Sequence, residues 1–247
     1  MTKSNRLACC ATLACVALPA SLFASVTYTD STFATGSYPT AFTYISDITG
    51  TVSVTSGPAQ CSSCGDPGDA LETVFNWGGA SEVNATLVLG VINSAFTYDP
   101  STQGALWNIT TSIDASVSNT NVGFPPDPYY YLLIEQDSNY YYGLVNFDSN
   151  ESGFQLLSAT ALVASNFDQF NPSTGVTTSS SNPNFDGDTM EFGLYMIEGA
   201  LFAPGNNATL IYDNLTLQLN SVPEPSSLFL MGAALAGLTL LRRRKLE

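Results

Sequence analysis

The chain has 247 residues, of which 45% are apolar, so it is long enough and apolar enough to form a folded core. Its charges are unevenly placed: all six basic residues lie at the two ends, and 19 of the 21 acidic residues lie between residues 26 and 221, where there is no Lys, Arg or His. Such a region repels phosphate backbones and anionic lipid headgroups, so nucleic-acid binding is excluded.

The first 25 residues have the order of a secretory signal peptide. Lys3 and Arg6 form a positive start, residues 7–18 form an apolar stretch, and small residues lead to a cleavage site expected after Ala24 or Ser25. The composition therefore predicts that the remainder of the chain is exported into an oxidising compartment.

Residues 26–221 carry the pattern of one all-β domain. Short runs in which polar and apolar residues alternate are separated by Gly, Pro, Asn, Asp and Ser, which favours an antiparallel β-sandwich. The predicted strands are 51–55, 83–91, 107–114, 129–135, 140–147, 154–162, 190–197 and 208–219. A hairpin turn is predicted at residues 136–139 and a long loop at residues 171–184.

Several segments spread over this domain carry a family resemblance. They are Phe96-Thr97-Tyr98-Asp99-Pro100 leading to Gly104-Ala105, then Asn182-Pro183-Asn184-Phe185, Met190-Glu191-Phe192-Gly193 and Tyr212-Asp213-Asn214-Leu215-Thr216. Together they resemble the concanavalin A-like (laminin G-like) jelly rolls of secreted bacterial proteins. The resemblance implies an antiparallel jelly roll, and it implies no single activity because such folds host lectins, adhesins and glycosidases alike.

Cys61 and Cys64 are the only cysteines left once the signal peptide is removed. A zinc site would need further soft ligands, and the chain has no second cysteine pair and no His. A redox motif would be expected in a βαβ context, which the strand pattern does not provide. We therefore predict a structural disulfide between Cys61 and Cys64.

Asp186, Asp188 and Glu191 place three carboxylates around a flexible glycine. Calcium prefers oxygen ligands, so one interpretation is a calcium site here, with Asp66 and Asp69 as a second candidate, although the spacing is not that of an EF-hand. The other interpretation is an ordinary acidic turn in a solvated acidic surface that ions must screen.

The same segment has an enzymatic interpretation, because some jelly-roll glycosidases carry Glu-x-Asp-x-x-Glu on a central strand. Here Asp186 takes the first position, and its shorter side chain alters the carboxylate separation on which double displacement depends. Without His or a central Lys, the chain also has no Ser–His, Cys–His or Ser–Lys nucleophile. We therefore expect a protein that is not an enzyme.

Aromatic residues supply the candidates for contact with sugars. Exposed rings can stack on sugar faces, whereas most rings in a sandwich pack in its core. The candidates are Trp77, Trp107, Tyr130 and Tyr141. Because neighbouring residues on a strand point to opposite faces, the tyrosine triplets 129–131 and 140–142 are each expected to supply rings to both the core and the surface.

The C-terminal segment 222–247 has three parts: Pro223, Glu224 and Pro225, then the apolar run 228–241, then the basic cluster 242–245. This order resembles the PEP-CTERM sorting signal of Gram-negative bacteria, in which the membrane enzyme exosortase is taken to recognise and process the tail. The resemblance implies export, a short membrane helix through residues 228–241 with its basic end in the cytoplasm, and a place in the envelope, on the outer surface or in the extracellular matrix.

These observations predict three regions: a signal peptide at 1–25, an acidic β-sandwich at 26–221 and a sorting tail at 222–247. We expect a non-catalytic surface or matrix protein that interacts with extracellular polysaccharide or other surface molecules. The alternative is a carbohydrate-active enzyme that uses carboxylates alone, and calcium is the one cofactor that the sequence suggests.

Overall fold

The computed structural model describes residues 25–46, 51–78, 83–119, 128–148, 153–202 and 206–222, together with Gly232. At residues 51–56, 77–78, 83–85, 119, 199–202 and 206 it describes the backbone alone. Residues 1–24 of the predicted signal peptide, the motif at 223–225 and the apolar run 228–241, apart from Gly232, lie outside this description. Among the helices of the described part, none is long and apolar enough to cross a bilayer.

Almost all of the described chain is β-strand, as the alternating pattern predicts. The strands are β1 Ser25–Asp30, β2 Thr40–Ser46, β3 Thr51–Gly65, β4 Gly68–Gly78, β5 Val83–Tyr98, β6 Leu106–Asn119, β7 Tyr129–Gln136, β8 Asn139–Phe147, β9 Gln155–Leu162, β10 Asp168–Asn171, β11 Val176–Thr178, β12 Met190–Phe202 and β13 Asn206–Ser221. Two short helical turns complete the set, α1 at Pro100–Gln103 and a 3-10 turn at Ala164–Asn166.

The strands form two sheets in which the paired strands are antiparallel, and this confirms the predicted β-sandwich. One sheet has six strands in the order β3-β4-β13-β6-β9, with β1 also paired with β13. The other has seven strands in the order β11-β10-β8-β7-β12-β5-β2. Each predicted strand overlaps one of these strands, and many neighbours in a sheet are distant in sequence, which is typical of jelly-roll connections.

The inner core lies between the two sheets. Alternate residues of each strand point into it, and they include fully buried Phe75 on β4, Leu217 on β13 and Phe192 on β12. The Tyr130 hydroxyl on β7 lies 2.8 Å from Thr111 Oγ1 on β6 and so joins the two sheets by a buried hydrogen bond. Burial of this apolar surface is the main force that holds the two layers together.

The predicted hairpin turn at residues 136–139 is confirmed. β7 ends at Gln136 and β8 begins at Asn139, which are paired across the turn. The two residues between them, Asp137 and Ser138, have φ angles of 53° and 59°. Positive φ at both central positions is the requirement of a type I′ hairpin turn, whose twist matches that of the flanking strands.

The predicted long loop at residues 171–184 is wrong in part. Val176–Thr178 form β11, which pairs with β10 across a turn that contains Gly175 at φ 69°. Glycine reaches positive φ without steric cost, so it allows the chain to reverse here. The sequence does not predict this strand, because all three of its residues are exposed and none alternates with a buried apolar residue.

Candidate functional site

The outer face of the seven-stranded sheet carries a second apolar cluster that is separate from the inner core. On β7, Tyr130 and Leu132 belong to the inner core, whereas Tyr131 and Leu133 belong to this outer cluster. We call its seven rings the aromatic face; they are Phe42, Tyr44, Tyr131, Tyr140, Tyr142, Phe170 and Tyr195. Antiparallel sheets commonly present a polar outer face to solvent, so a face of rings needs a separate explanation.

Strand register brings these rings together. Tyr131 on β7 is paired with Tyr195 on β12, and Tyr140 on β8 is paired with Phe170 on β10. Residues paired across an antiparallel ladder share one face of the sheet, so each pair places two rings side by side. Phe42 comes from the edge strand β2, and its ring reaches this group, with its centroid 4.7 Å from that of Tyr140 and 5.4 Å from that of Phe170.

The rings hold one another in fixed orientations. Tyr142 stacks on Tyr195 with ring centroids 4.2 Å apart and planes 9° apart. Tyr131 and Phe170 contact Tyr195 nearly edge-on, with centroids at 5.8 and 5.5 Å. The Tyr142 hydroxyl also lies 3.0 Å from Thr177 Oγ1 on β11. Such packing fixes the positions of the partly buried rings before any ligand arrives.

Two glycines leave room for rings at the edge of this face. A Cβ atom at Gly90 would lie 2.3 Å from the Phe42 ring, and one at Gly175 would lie 2.1 Å from the Tyr44 ring. Both distances are too short for real atoms, so each ring packs directly on the backbone of its glycine. The aromatic face therefore depends on glycines at these two positions.

Two carboxylates stand at one end of the aromatic face. Glu135 on β7 is paired with Glu191 on β12, and by the alternation of side chains Glu135 shares the face of Tyr131 and Leu133. Burial, together with the nearby charge of Glu191, raises the pKa of Glu135. These carboxylates add hydrogen-bond acceptors to a surface that is otherwise mainly apolar.

A cleft of about 470 Å³ opens at the other end, where β7 stops pairing with β12 at Tyr131 and Tyr195. The residues that line it are Thr86, Tyr129, Tyr131, Leu144, Phe147, Ile197 and Glu198. The Tyr129 hydroxyl bridges the gap between the strands, because it donates to the Ile197 carbonyl at 2.7 Å and accepts from the Ile197 N–H at 3.2 Å. The aromatic face thus adjoins an open cleft, which Tyr131 also lines.

Glu198 is the charged group of this cleft. Burial raises the pKa of its carboxyl from 4.5 to about 7, and a hydrogen bond from Tyr129 opposes the rise. Burial raises the pKa of Tyr129 and of the buried Tyr212, and the charge of Glu198 adds to both effects. Since residues 7–241 contain no Lys, Arg or His, the chain supplies this carboxylate with no cationic partner there.

The four predicted stacking residues lie away from the aromatic face. Tyr130 and Tyr141 are 0% and 8% exposed and belong to the inner core, so they pack and are not accessible for stacking in this conformation. Trp107 is 60% exposed, but it lies on β6 of the six-stranded sheet. Trp77 lies on β4 of that same sheet, and its side chain is outside the description.

The structure does not gather the predicted calcium ligands into a compact set. Asp186 and Asp188 are exposed in the turn before β12. In this turn the Asn184 side chain accepts a hydrogen bond from the Asp186 N–H at 3.1 Å. Glu191 lies on β12 itself, where it is paired with Glu135. Among the described residues, one group of three possible metal ligands has its ligand atoms within 4.8 Å of one another. It consists of Cys61, Cys64 and Glu72. Calcium binding at 186–191, or at Asp66 and Asp69, stays a prediction.

Cys61 and Cys64 form a disulfide near the end of β3, which confirms the predicted bond. Their sulfur atoms are therefore not available as thiolates, the form in which cysteine binds metal. The bond closes a short loop beside the turn between β3 and β4 and lies on the sheet opposite the aromatic face. Its place in the structure is that of a local brace.

Comparison with known families locates the sorting signal. The PEP-CTERM protein-sorting motif matches residues 221–245, which confirms the resemblance based on Pro223, Glu224 and Pro225. The motif indicates a protein that is exported to the cell envelope. Among curated proteins, none matches the chain.

Among solved structures, the chain is similar to family 11 carbohydrate-binding modules of Clostridium thermocellum. The module of the cellulosomal cellulase Lic26A-Cel5E is 12% identical, with 78% of this chain and 86% of that chain covered and a TM-score of 0.32. The module in complex with a β-1,3-1,4-mixed-linked tetrasaccharide is 12% identical, and the match covers 81% of this chain and 90% of that chain with a TM-score of 0.31.

Proposed function

We propose that this protein is a non-catalytic polysaccharide-binding protein of the cell envelope, sorted by exosortase-type machinery to the outer surface or the extracellular matrix. In this proposal, sugar rings stack on the aromatic face. The observation that carries it is the set of seven ordered rings on the outer side of the seven-stranded sheet, four of them partly exposed.

The chemistry of a sugar ring fits this surface. The C–H face of a pyranose is apolar and packs on an aromatic ring, while its hydroxyl groups need hydrogen-bond partners. Partly buried Tyr131, Tyr140 and Tyr142 provide rings with hydroxyl groups, and Glu135 and Glu191 provide acceptors at one end. Rings that already hold one another lose little conformational entropy when a ligand binds.

The charge of the domain narrows the class of polysaccharide. With 19 carboxylates and no cationic residue between positions 26 and 221, the domain repels uronate-rich or sulfated chains. Neutral or cationic polysaccharides meet no such repulsion. We therefore expect the ligand to be one of these two kinds.

The enzymatic alternative has one observation in its favour. Glu135 and Glu191 stand opposite each other on neighbouring strands, and burial and charge raise the pKa of Glu135 as in a catalytic acid. Paired carboxylates of this kind could act together in glycoside hydrolysis. Release of reducing sugar that Glu135→Gln abolishes would favour this alternative.

Binding of the exported protein to a panel of neutral and anionic polysaccharides tests the proposal. Tyr142→Ala removes a ring stacked on Tyr195, and we expect binding of neutral chains to weaken about 3- to 10-fold, because one ring contact contributes about 0.5–1.5 kcal/mol. Tyr142→Phe keeps the ring and should bind nearly as well as the original protein.

Trp107→Ala is the matched control, since it removes an exposed ring from the other sheet. It should leave affinity unchanged. If Trp107→Ala lost binding while Tyr142→Ala bound fully, the binding site would lie on the six-stranded sheet and the proposed location would be wrong. A melting curve for each variant separates lost contact from lost folding.

A further inference from the structure

The cleft at the end of the aromatic face contains a group that stacking on sugars does not require. Glu198 lines a pocket whose other walls are mainly aromatic and aliphatic. Removing a carboxylate from water costs free energy unless an opposite charge or hydrogen-bond donors compensate. The position of Glu198 therefore needs a reason beyond the stacking of neutral rings.

We propose that the cleft binds the free ammonium group of an amino-sugar unit, with Glu198 as its counter-ion. The ligand would then be a polysaccharide in which at least some amino sugars lack the N-acetyl group. This inference rests on the proposed polysaccharide binding and adds the chemical class of the ligand.

The walls of the cleft suit a cation. The Tyr129 and Tyr131 rings lie 5.7 Å apart at 64°, so they form two sides of a corner. Phe147, which is 56% exposed, is paired with Tyr129 on the neighbouring strand and provides a third ring. The faces of aromatic rings attract an ammonium group, and rings around a carboxylate bind it through both effects.

The protein itself leaves the Glu198 carboxylate with little compensation. The Tyr129 hydroxyl has one proton, and it lies 2.7 Å from the Ile197 carbonyl, which competes with Glu198 for it. The nearest opposite charge cannot come from the middle of the chain, which has no basic residue between positions 7 and 241. A cationic ligand would supply the missing charge.

The dimensions and the surrounding field agree with this ligand. A volume of about 470 Å³ is in the range of pockets that enclose small molecules, and a sugar unit in the cleft could extend along the aromatic face. The 19 carboxylates of the domain raise the local concentration of cations near the surface. An N-acetylated unit has no charge to pair with Glu198.

Calorimetric titration of the exported protein at neutral pH with two oligosaccharides tests the inference. The probes are a tetramer of β-1,4-linked glucosamine and the matching tetramer of N-acetylglucosamine. We expect the free-amine tetramer to bind at least about 10-fold more tightly. Glu198→Gln, which keeps the shape of the side chain, should remove most of that difference.

Asp137→Asn controls for the general attraction of an acidic protein for cations. It removes the same charge from the exposed β7–β8 turn, at the opposite end of β7, and Asn tolerates the positive φ of that position. It should leave the preference for the free amine intact. A lysine tetrapeptide, the other source of ammonium groups, should bind more weakly because it has no sugar ring to stack.

Three results would overturn the inference: equal affinity for both tetramers, an equal loss in Glu198→Gln and Asp137→Asn, or tighter binding of the peptide. If both tetramers bind equally and Tyr142→Ala weakens both, polysaccharide binding stands and the ammonium assignment fails. If neither tetramer nor any polysaccharide of the panel binds, the proposed function itself fails.

Discussion

Glu198 is the residue whose environment departs furthest from that of an ordinary surface carboxylate. Its pKa rises from 4.5 in water to about 7 because burial penalises the charged form. The groups that face it, Tyr129 from β7 and Tyr212 from β13, are neutral hydroxyls at neutral pH and cannot balance its charge. The folded protein therefore keeps this residue protonated to a higher pH than the unfolded chain does.

This preference predicts how stability depends on pH. A carboxyl whose pKa is higher in the folded state binds more protons than in the unfolded state between about pH 4.5 and 7. Its contribution is therefore fully present below about 4.5 and is lost as pH rises through about 7. One pKa unit corresponds to ~1.4 kcal/mol, so Glu198→Gln should gain about 1–3 kcal/mol over the original protein above pH 7.

Urea unfolding at a series of pH values measures this difference. The two proteins should differ least near pH 4 and most above pH 7. A Glu198→Gln curve parallel to that of the original protein would mean that Glu198 is not buried as described.

The tyrosine triplets show what the sequence predicts for single residues and what it does not. As expected, each triplet supplies rings to both faces of the sheet, but the sequence does not indicate which ring points to which face. The middle residues Tyr130 and Tyr141 turn inward, while Tyr131 and Tyr142 turn outward. Glu198 gave no sequence signal, because its burial depends on the pairing between β7 and β12 stopping at Tyr131 and Tyr195.

At the scale of elements, the edge of the aromatic face depends on the fit between β2 and β5. Phe42 on β2 is paired with Gly90 on β5 and packs against the glycine backbone. A side chain at position 90 would occupy the space that the ring now fills, so the ring would have to move. Packed interiors tolerate such additions poorly.

Gly90→Ala should therefore lower the free energy of unfolding by about 1–3 kcal/mol, because its Cβ would lie 2.3 Å from the Phe42 ring. Gly57→Ala on β3 is the control, since a Cβ atom there meets nothing within 4 Å, and it should change stability by less than about 0.5 kcal/mol. Urea unfolding measures both. Equal stability of the two variants would contradict the described packing of Phe42.

Alternation predicted β6, for example, where Ile109, Ile113 and Val117 are buried in turn. Five strands were missed: β1, β2, β4, β10 and β11. For β10 and β11, four and three residues are too few for a periodic pattern. Long-range pairings, such as β13 with β4 and β6, also leave no local signal. The sheet order was therefore beyond the sequence, although the fold class was not.

At the scale of the whole molecule, the domain holds its 19 carboxylates without any Lys, Arg or His. Several of them accept hydrogen bonds from backbone N–H groups. Asp213, which is fully buried, accepts from Asp66 N–H and from Asn214 N–H, each at 2.7 Å. Asp30 accepts from Phe33 N–H at 2.8 Å. These backbone N–H groups give the carboxylate oxygens hydrogen-bond partners in a region that has no Lys, Arg or His.

For the molecule as a whole, we propose that the outer side of the seven-stranded sheet binds polysaccharide. The most direct test is an NMR titration of the exported protein, labelled on its tyrosine and tryptophan rings, with an oligosaccharide that binds. If sugar binds at the aromatic face, the ring signals of Tyr131, Tyr140 and Tyr142 should shift, while those of buried Tyr130 and exposed Trp107 should stay in place. Shifts at Trp107 without shifts at the three tyrosines would contradict it.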